Sequence, residues 1–415
     1  MKSALVAVFL FSFVISARAA NPSPEVLAIT NVNVVDTRDG GLAPNATVLV
    51  KNGTITAIAK VALLDAGPHV RIINAGGKYL IPGLWDMNAH VSGPALDLWN
   101  RKSLFTLYLA NGVTGLRDLN FKKEAGFADS LRPEISGDPE SGQNERHSLE
   151  DLKEAMLACS SRGEELRLKG NDSLDDEETI AREIRHSYDP NRAQEYFANL
   201  SKHSTWVVPS LVSVDASAPP TREVPESPFR YLPSQLVIPA DQDDEPELVM
   251  ERKEEATRDM VLVHDMGRAG VQFLAGTNSP GVNLVPGFSL HRELELLVKS
   301  GFSPFAALKT ATFNPALYMS KADKFGVVEP GHIANLVLLE DNPLIDIRNT
   351  QKIAAVILHG VYYSREYLGH ILSAKEPLTS HQASAGKEID KERAQQASQC
   401  PAPIRGVKCP IRCSE

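Results

Sequence analysis

Between Leu80 and Val91 the chain reads Leu-Ile-Pro-Gly-Leu-Trp-Asp-Met-Asn-Ala-His-Val, an apolar stretch that ends on Asn88-Ala89-His90. A run this apolar, punctuated by Pro82-Gly83, is expected to be a buried strand. Side chains at i and i+2 of a strand share a face. Two imidazoles at that spacing would grip one ion from rigid backbone. Here the first position is Asn88, and a carboxamide oxygen is a weak zinc ligand beside imidazole, thiolate or carboxylate. The stretch marks where the chemistry of such a chain should sit, and it lacks half of the chelate.

The segments around this strand set the fold class. Residues 27–80 alternate in the strand manner, with Asn52-Gly53 as a hairpin turn between Thr47-Val-Leu-Val and Thr54-Ile-Thr-Ala-Ile. A second β-rich stretch, residues 326–370, holds Asn335-Leu-Val-Leu-Leu and Ile353-Ala-Ala-Val-Ile-Leu. Together they predict one small β-sandwich composed from both ends of the chain. The middle, residues 81–325, alternates short strands with helices. Val113-Thr-Gly-Leu-Arg, Trp206-Val-Val-Pro-Ser-Leu-Val and Val271-Gln-Phe-Leu-Ala read as strands. Ser303-Pro304 reads as a helix start, and Leu290, Leu294, Leu297 and Val298 as one helical face. That alternation predicts an α/β barrel or parallel sheet. The acidic run Asn171 to Glu178 reads as a solvated helix start. Residues 217–248, rich in proline and acid, are expected to form a long surface loop or a lid. Residues 376–415 are polar and aperiodic, an expected disordered tail.

Composition narrows the function. The net charge is −9 with no basic stripe, which excludes a nucleic-acid role. The N-terminus has the three parts of a secretory signal: Lys2, the apolar Ala4 to Ile15, and Ala17-Arg18-Ala19 as a cleavage site. Its apolar run, roughly 12 residues against the ~20 needed, is short for a membrane anchor. We therefore expect residues 1–19 to be removed, the mature chain to be periplasmic or extracellular, and no other segment to cross a bilayer. Cys159 reads as a small buried hydrophobe. Cys400, Cys409 and Cys413 cluster in the tail, where pairing fits an exported protein.

Taken in order, several motifs resemble the amidohydrolase superfamily, in particular its imidazolonepropionase-like branch. They are Ile81-Pro-Gly-Leu-Trp-Asp-Met-Asn-Ala-His, Asn111-Gly-Val-Thr-Gly-Leu-Arg-Asp, Leu274-Ala-Gly-Thr-Asn-Ser-Pro-Gly, Pro286-Gly-Phe-Ser-Leu-His-Arg-Glu-Leu-Glu, Ala307-Leu-Lys-Thr-Ala-Thr-Phe-Asn-Pro-Ala and Gly331-His-Ile-Ala-Asn-Leu-Val-Leu-Leu. The resemblance covers most of residues 27–370. It implies a TIM-like (β/α)8 barrel with a β-sandwich from both termini, one or two divalent metals (zinc above all) at the C-terminal face, and hydrolysis of amide or cyclic-amide C–N bonds. In such families the metal activates water and polarises the carbonyl. An aspartate on the last strand accepts the proton and returns it to the leaving amine.

Position by position, the implied ligand set is degraded. His-x-His becomes Asn88 and His90. The strand-six histidine, in Ser148-Leu-Glu-Asp-Leu152, becomes Asp151. The last-strand aspartate becomes Asn278, whose amide has no usable basicity. The lysine of strand four and the histidine of strand five have no counterpart. Asp118 and Ser148 are too close for three strand-helix units, so the barrel is expected to be truncated between about 119 and 147, with Pro133-Glu-Ile-Ser-Gly as a remnant of strand three. The whole of 81–325 still spans about 245 residues, close to the ~250 of such a barrel, but that includes the proline-rich excursion. An open or six-stranded barrel follows, or one whose gap another chain covers.

Each residue has a structural reading too. His90 is either a surviving ligand or a histidine held by hydrogen bonds at the barrel mouth. Asp151 is either a ligand or the N3 carboxylate of a capping box with Ser148 as N-cap. Asp86 and Asp118, near strand ends, read as groups recruited to the site or as caps or partners of a neighbour such as Arg117. His291 reads as a ligand contact at the site mouth or a solvent-facing helix position, and His147 as the one histidine that could join His90. The expectation is an exported amidohydrolase-type protein that is inactive or weak on small amides, with metal unbound or weakly bound. The alternative is a non-catalytic protein that binds a small ligand or an active paralogue, and a homo-oligomer is compatible with either.

Overall fold

The computed structural model describes residues 26–59, 70–92, 99, 101–118, 134–136, 148–149, 152–162, 183, 187–216, 228–237 and 246–373. Residues 1–19, His147, Asp151, the acidic run 171–178 and the cysteine-bearing tail lie outside the described residues.

Both ends of the chain enter one sheet. Strands β1 (Val26–Val35), β2 (Leu42–Lys51), β3 (Thr54–Ala59), β4 (Val70–Asn74) and β5 (Tyr79–Pro82) come first, and β12 (Leu336–Leu339), β13 (Ile353–Leu358) and β14 (Val361–Ser364) come last. The order is β14-β13-β12-β5-β1-β2-β3, with β4 added on β1. The join is antiparallel, Leu336 opposite Pro82 through Leu339 opposite Tyr79. At the β2–β3 turn Asn52 and Gly53 have φ of 52° and 76°. Two consecutive left-handed residues make the tight turn that Asn-Gly favours. Alternation along the strands puts Leu27, Ile29, Val48, Ile55, Leu80, Leu336, Leu338 and Ile357 into one dry core.

The middle of the chain forms two parallel three-stranded pieces. β6 (Leu84–Asp86), β7 (Val113–Arg117) and β8 (Glu134–Ser136) make one, and β9 (Ser148–Leu149), β10 (Trp206–Val207) and β11 (Gln272–Phe273) the other. Backbone bonds beyond the strand ends join them. Met87 N donates to Ala275 O at 2.8 Å, Asn278 N to Asn88 O at 2.7 Å, and His90 N to Ser279 O at 2.8 Å. Ala89 and Ser279 form a parallel bridge. The result is a six-stranded parallel arc in the order β8-β7-β6-β11-β10-β9. Among the described residues no pairing joins β8 to β9. The seam between first and last strand is intact.

Helices clothe this arc: α1 (Arg101–Ala110), α2 (Leu152–Cys159), α3 (Pro190–Lys202), α4 (Leu211–Ala216), α5 (Pro246–Arg268), α6 (Phe288–Lys299), α7 (Pro304–Thr310), α8 (Phe313–Tyr318) and α9 (Arg365–Ser373). Asp189 caps α3 through Asn191 N and Arg192 N, with Pro190 at the first helical position. Ser303 caps α7 through Ala306 N, with Pro304 behind it. Leu290, Leu294 and Leu297 of α6 are fully buried, and so is Cys159 on α2.

Two local expectations give way. Trp206 to Val212 is not one strand: β10 stops at Val207 and α4 begins at Leu211. Pro209 has no N–H for a ladder, and Ser210 turns the chain at φ 46°. Ser148 is not an N-cap either. It pairs with Trp206 in parallel, and α2 begins only at Leu152. The described part of the 217–248 excursion is packed: Tyr231 stacks on Phe288 at 5.7 Å, Leu232 is buried, and Asn283 N donates to Leu236 O at 2.8 Å.

Gly115 on β7 lies under the Trp85 ring, and a Cβ there would stand 2.2 Å from the indole. Gly115→Ala is expected to destabilise the fold by about 2 kcal/mol through overpacking. A urea denaturation midpoint unchanged from the parent chain would refute this close approach.

Candidate functional site

The carboxyl ends of parallel strands are where barrel enzymes place their chemistry. Here that face is built from Met87–Ser92 after β6, Arg117 and Asp118 after β7, Val208–Ser210 after β10, and Gly276–Pro280 after β11. The strands approach closely: a Cβ on Gly276 would meet Val208 Cγ1 at 2.5 Å and Asn88 N at 2.8 Å.

Asp86 is the anchor of this face. It is fully buried. Its Oδ1 accepts from Thr277 N at 3.0 Å and from Asn88 N at 3.2 Å, and its Oδ2 accepts from Thr277 Oγ1 at 2.5 Å. Burial pushes its carboxyl up to about 7, against the downward pull of the Thr277 and Asn88 hydrogen bonds. The network continues outward. Ser279 Oγ lies 2.7 Å from Thr277 Oγ1, and Tyr108 OH donates to Ser279 O at 3.1 Å. Burial, and then the Asp86 charge, hold the Tyr108 phenol well above its usual range. Asp86 thus ties strand ends together, and Asp118 accepts from Ser92 Oγ at 2.6 Å. Arg117 donates to Met87 O at 3.0 Å and lies over the Tyr318 ring.

His90 and Asn278 are brought together. The His90 Nε2 hydrogen-bonds the Asn278 Oδ1 at the solvent-facing rim. Asn278 sits at φ 60°, a left-handed conformation that Asn tolerates better than most side chains. Asn88, nearly buried, donates its Nδ2 to Ser210 Oγ at 3.1 Å. Three positions expected from the sequence, Asn88, His90 and Asn278, therefore share one small polar cluster, and Asp151 lies outside the described residues. Thr277, Ser279, Tyr108 and Ser210 were not foreseen. Only the Gly-Thr-Asn-Ser tetrapeptide carried a hint of the first two.

Among the described residues the donor set of this mouth does not fit a divalent ion. It offers one imidazole, whose Nε2 is engaged, and two carboxamides, one of them spending its amide nitrogen on Ser210. Of the carboxylates on this face, Asp86 spends both oxygens on Thr277 and Asn88 inside the protein, and Asp118 accepts from Ser92. Among the described residues no group of three or more His, Cys, Asp or Glu is placed to hold a metal ion.

Two buried groups lie behind the mouth. Glu293 of α6 is fully buried, and its Oε2 accepts from Val212 N at 2.7 Å. Burial raises its carboxyl to about 8. His291 corrects the sequence reading: it is 2% exposed, not solvent-facing. Its Nε2 lies 3.1 Å from Asn111 O and its Nδ1 2.9 Å from Thr350 Oγ1, which ties α6 to the turn before β7 and to the 3-10 helix Ile347–Gln351. The helix period had placed it one position off the leucine face, where a second packing surface covers it.

Comparison with known proteins agrees with this architecture. The model of the amidohydrolase family matches residues 232–362. An adenine deaminase of Rubrobacter xylanophilus is 26% identical over 115 residues, 25% of this chain and 19% of that protein. A dihydroorotase of Trichlorobacter lovleyi is 37% identical over 71 residues, 17% of this chain and 16% of that protein. The matches thus span less than a fifth of the length of these curated relatives. Among solved structures, a bottromycin amidohydrolase superposes with a TM-score of 0.55 at 16% identity, covering 83% of this chain and 88% of its own. That likeness is one of fold.

Burial lowers the His291 imidazole to about 4, partly offset by its bond to Asn111 O. A depressed histidine favours the neutral folded state above its ordinary 6.5, and that contribution is lost as pH falls through 4. The expected loss from this group is of the order of 3 kcal/mol. His291→Gln should flatten the fall of the urea midpoint between pH 7 and 4, and an unchanged slope would sink the assignment.

Proposed function

We propose that this chain, whose residues 232–362 match the amidohydrolase family model, is an exported protein, descended from hydrolases of amide or cyclic-amide C–N bonds, in which hydrolysis is lost or reduced to a weak residue. It retains the mouth of the barrel as a small polar site suited to an amide-bearing molecule. One observation carries the reading: His90 is hydrogen-bonded to Asn278, so a carboxamide stands where the family's last-strand aspartate would act.

The chemistry follows from the groups. A carboxamide does not take a proton near neutral pH, so Asn278 cannot serve as a general base. The Asp86 carboxyl is fully buried and hydrogen-bonded to Thr277 and Asn88, out of reach of a substrate at the rim. The exposed carboxamide of Asn278 pairs readily with an amide, which presents the same donors and acceptors. Export rests on Lys2, the apolar Ala4 to Ile15 and Ala17-Arg18-Ala19.

The test is metal content of the purified protein by elemental mass spectrometry, after incubation with zinc, then manganese, and extensive dialysis. The expected result is far less than one equivalent. One equivalent or more retained would overturn the reading and justify a screen of amides, lactams and dipeptides. The double variant Asn88→His with Asn278→Asp is expected to remain inactive in such a screen, because the lysine and strand-five ligands have no counterpart. Turnover by that variant would mean that other groups replace them.

A further inference from the structure

The turn that leads from β10 into α4 is held by a side chain from another helix. Ser210 has φ 46°, a conformation that costs a non-glycine residue roughly 1–2 kcal/mol. α4 has six residues, far too few to be stable alone. Its first N–H groups need acceptors. Glu293 of α6 supplies one: its Oε2 accepts from Val212 N at 2.7 Å, and Leu211 also hydrogen-bonds this carboxyl through its backbone. The neighbouring Arg292 donates to both oxygens of Asp215 on α4, at 2.9 and 3.2 Å. Ser213 Oγ closes the turn on Ser210 O at 2.6 Å. The other Glu293 oxygen, Oε1, is buried without a partner.

This fastening reaches the barrel mouth. Ser210 Oγ is the acceptor for the Asn88 Nδ2 at 3.1 Å. Move Ser210, and the Asn88 carboxamide loses the contact that says which way its oxygen faces. A continuous path therefore runs from Glu293 through Val212 and Ser210 to Asn88.

We propose that Glu293 is a positioning residue for the barrel mouth: its carboxyl fixes the Ser210 turn and thereby the orientation of Asn88, and its protonation state sets how firmly it does so. The proposal names what orients Asn88 in the site described above, and it does not depend on that site being inactive. Burial, foremost, disfavours the ionised form, and the carboxylates of Asp86 and Asp215 add to this. Further charged groups on the elements packed around α6 are Asp259 and His264 of α5, Lys309 of α7, Asp346 and Arg348 at the 3-10 helix, and His291 and Glu295 of α6 itself. A carboxyl raised in the closed turn binds its proton more tightly there than in an opened, hydrated one. Its contribution is complete below its ordinary 4.5 and is lost as pH rises through about 8.

The experiment is site-resolved hydrogen exchange on the full chain, following the Leu211 and Val212 amides and the Asn88 side-chain NH2, corrected for intrinsic rates. In the parent chain protection should fall about tenfold between pH 7 and 9, one protonation linked to one opening. Glu293→Gln keeps both oxygen-acceptor geometry and neutrality, so it should stay protected and flat with pH. Glu293→Ala should lose Asn88 protection at every pH while the composite sheet exchanges as before. An equal fall in Glu293→Gln, or unchanged Asn88 protection in Glu293→Ala, would overturn the proposal. If Glu293→Ala fails to fold, the pH arm on Glu293→Gln still decides. Metal retention is read separately, so the failure of one idea leaves the other standing.

Discussion

The hydrogen bonds on Asp86 are the constraint from which the rest of the mouth hangs. One buried carboxyl accepts from Thr277 N, Thr277 Oγ1 and Asn88 N, and so binds residues nearly two hundred positions apart in the chain. Burying such a group is costly unless hydrogen bonds satisfy it. Three of them do, and the residual cost appears as a carboxyl raised to about 7. Beside it the backbone of Met87–His90 is laced to Ala275–Ser279 at 2.7–2.8 Å. Gly276 is required there because any side chain would collide with Asn88 and Val208.

Two seams hold this chain, and both join its beginning to its end. One is the β6–β11 seam in the arc, and the other is the β5–β12 pairing in the composite sheet. The first closes a loop of about 190 residues and the second one of about 255. Both bring together strands distant in the chain, and at the first of them the strand ends that carry Asn88, His90 and Asn278 keep their register.

Much of this architecture was legible in the sequence, because period and turn chemistry are local. Asn52-Gly53, Ser303-Pro304 and the leucines of α6 behave as their patterns require. The two-ended sheet and the strand ends bearing Asn88, His90 and Asn278 followed from motif order. What was illegible is what depends on distant partners. Trp206 to Val212 is apolar enough for a strand, yet Pro209 and the Glu293 carboxyl divide it into a strand and a helix. Ser148 has the chemistry of a cap, but Trp206 draws it into a ladder. His291 sits beside the apolar stripe of its helix, and only the 3-10 helix Ile347–Gln351 and Asn111 reveal that its own side is covered as well.

The two asparagines of the mouth share a physical logic. A carboxamide occupies nearly the volume of a carboxylate and, like imidazole, offers both a donor and an acceptor, so it keeps a hydrogen-bonded strand end intact while giving up its charge. Asn278 also suits its backbone, since φ 60° is a region that Asn enters readily. Asn88 finds Ser210, and Asn278 finds His90, so neither leaves an exposed strand end frayed or a polar group stranded. A scaffold held by Asp86, Thr277 and the two seams has no structural need of a metal at its rim, and the hydrogen bonds of Asn88, His90 and Asn278 keep the barrel mouth in place.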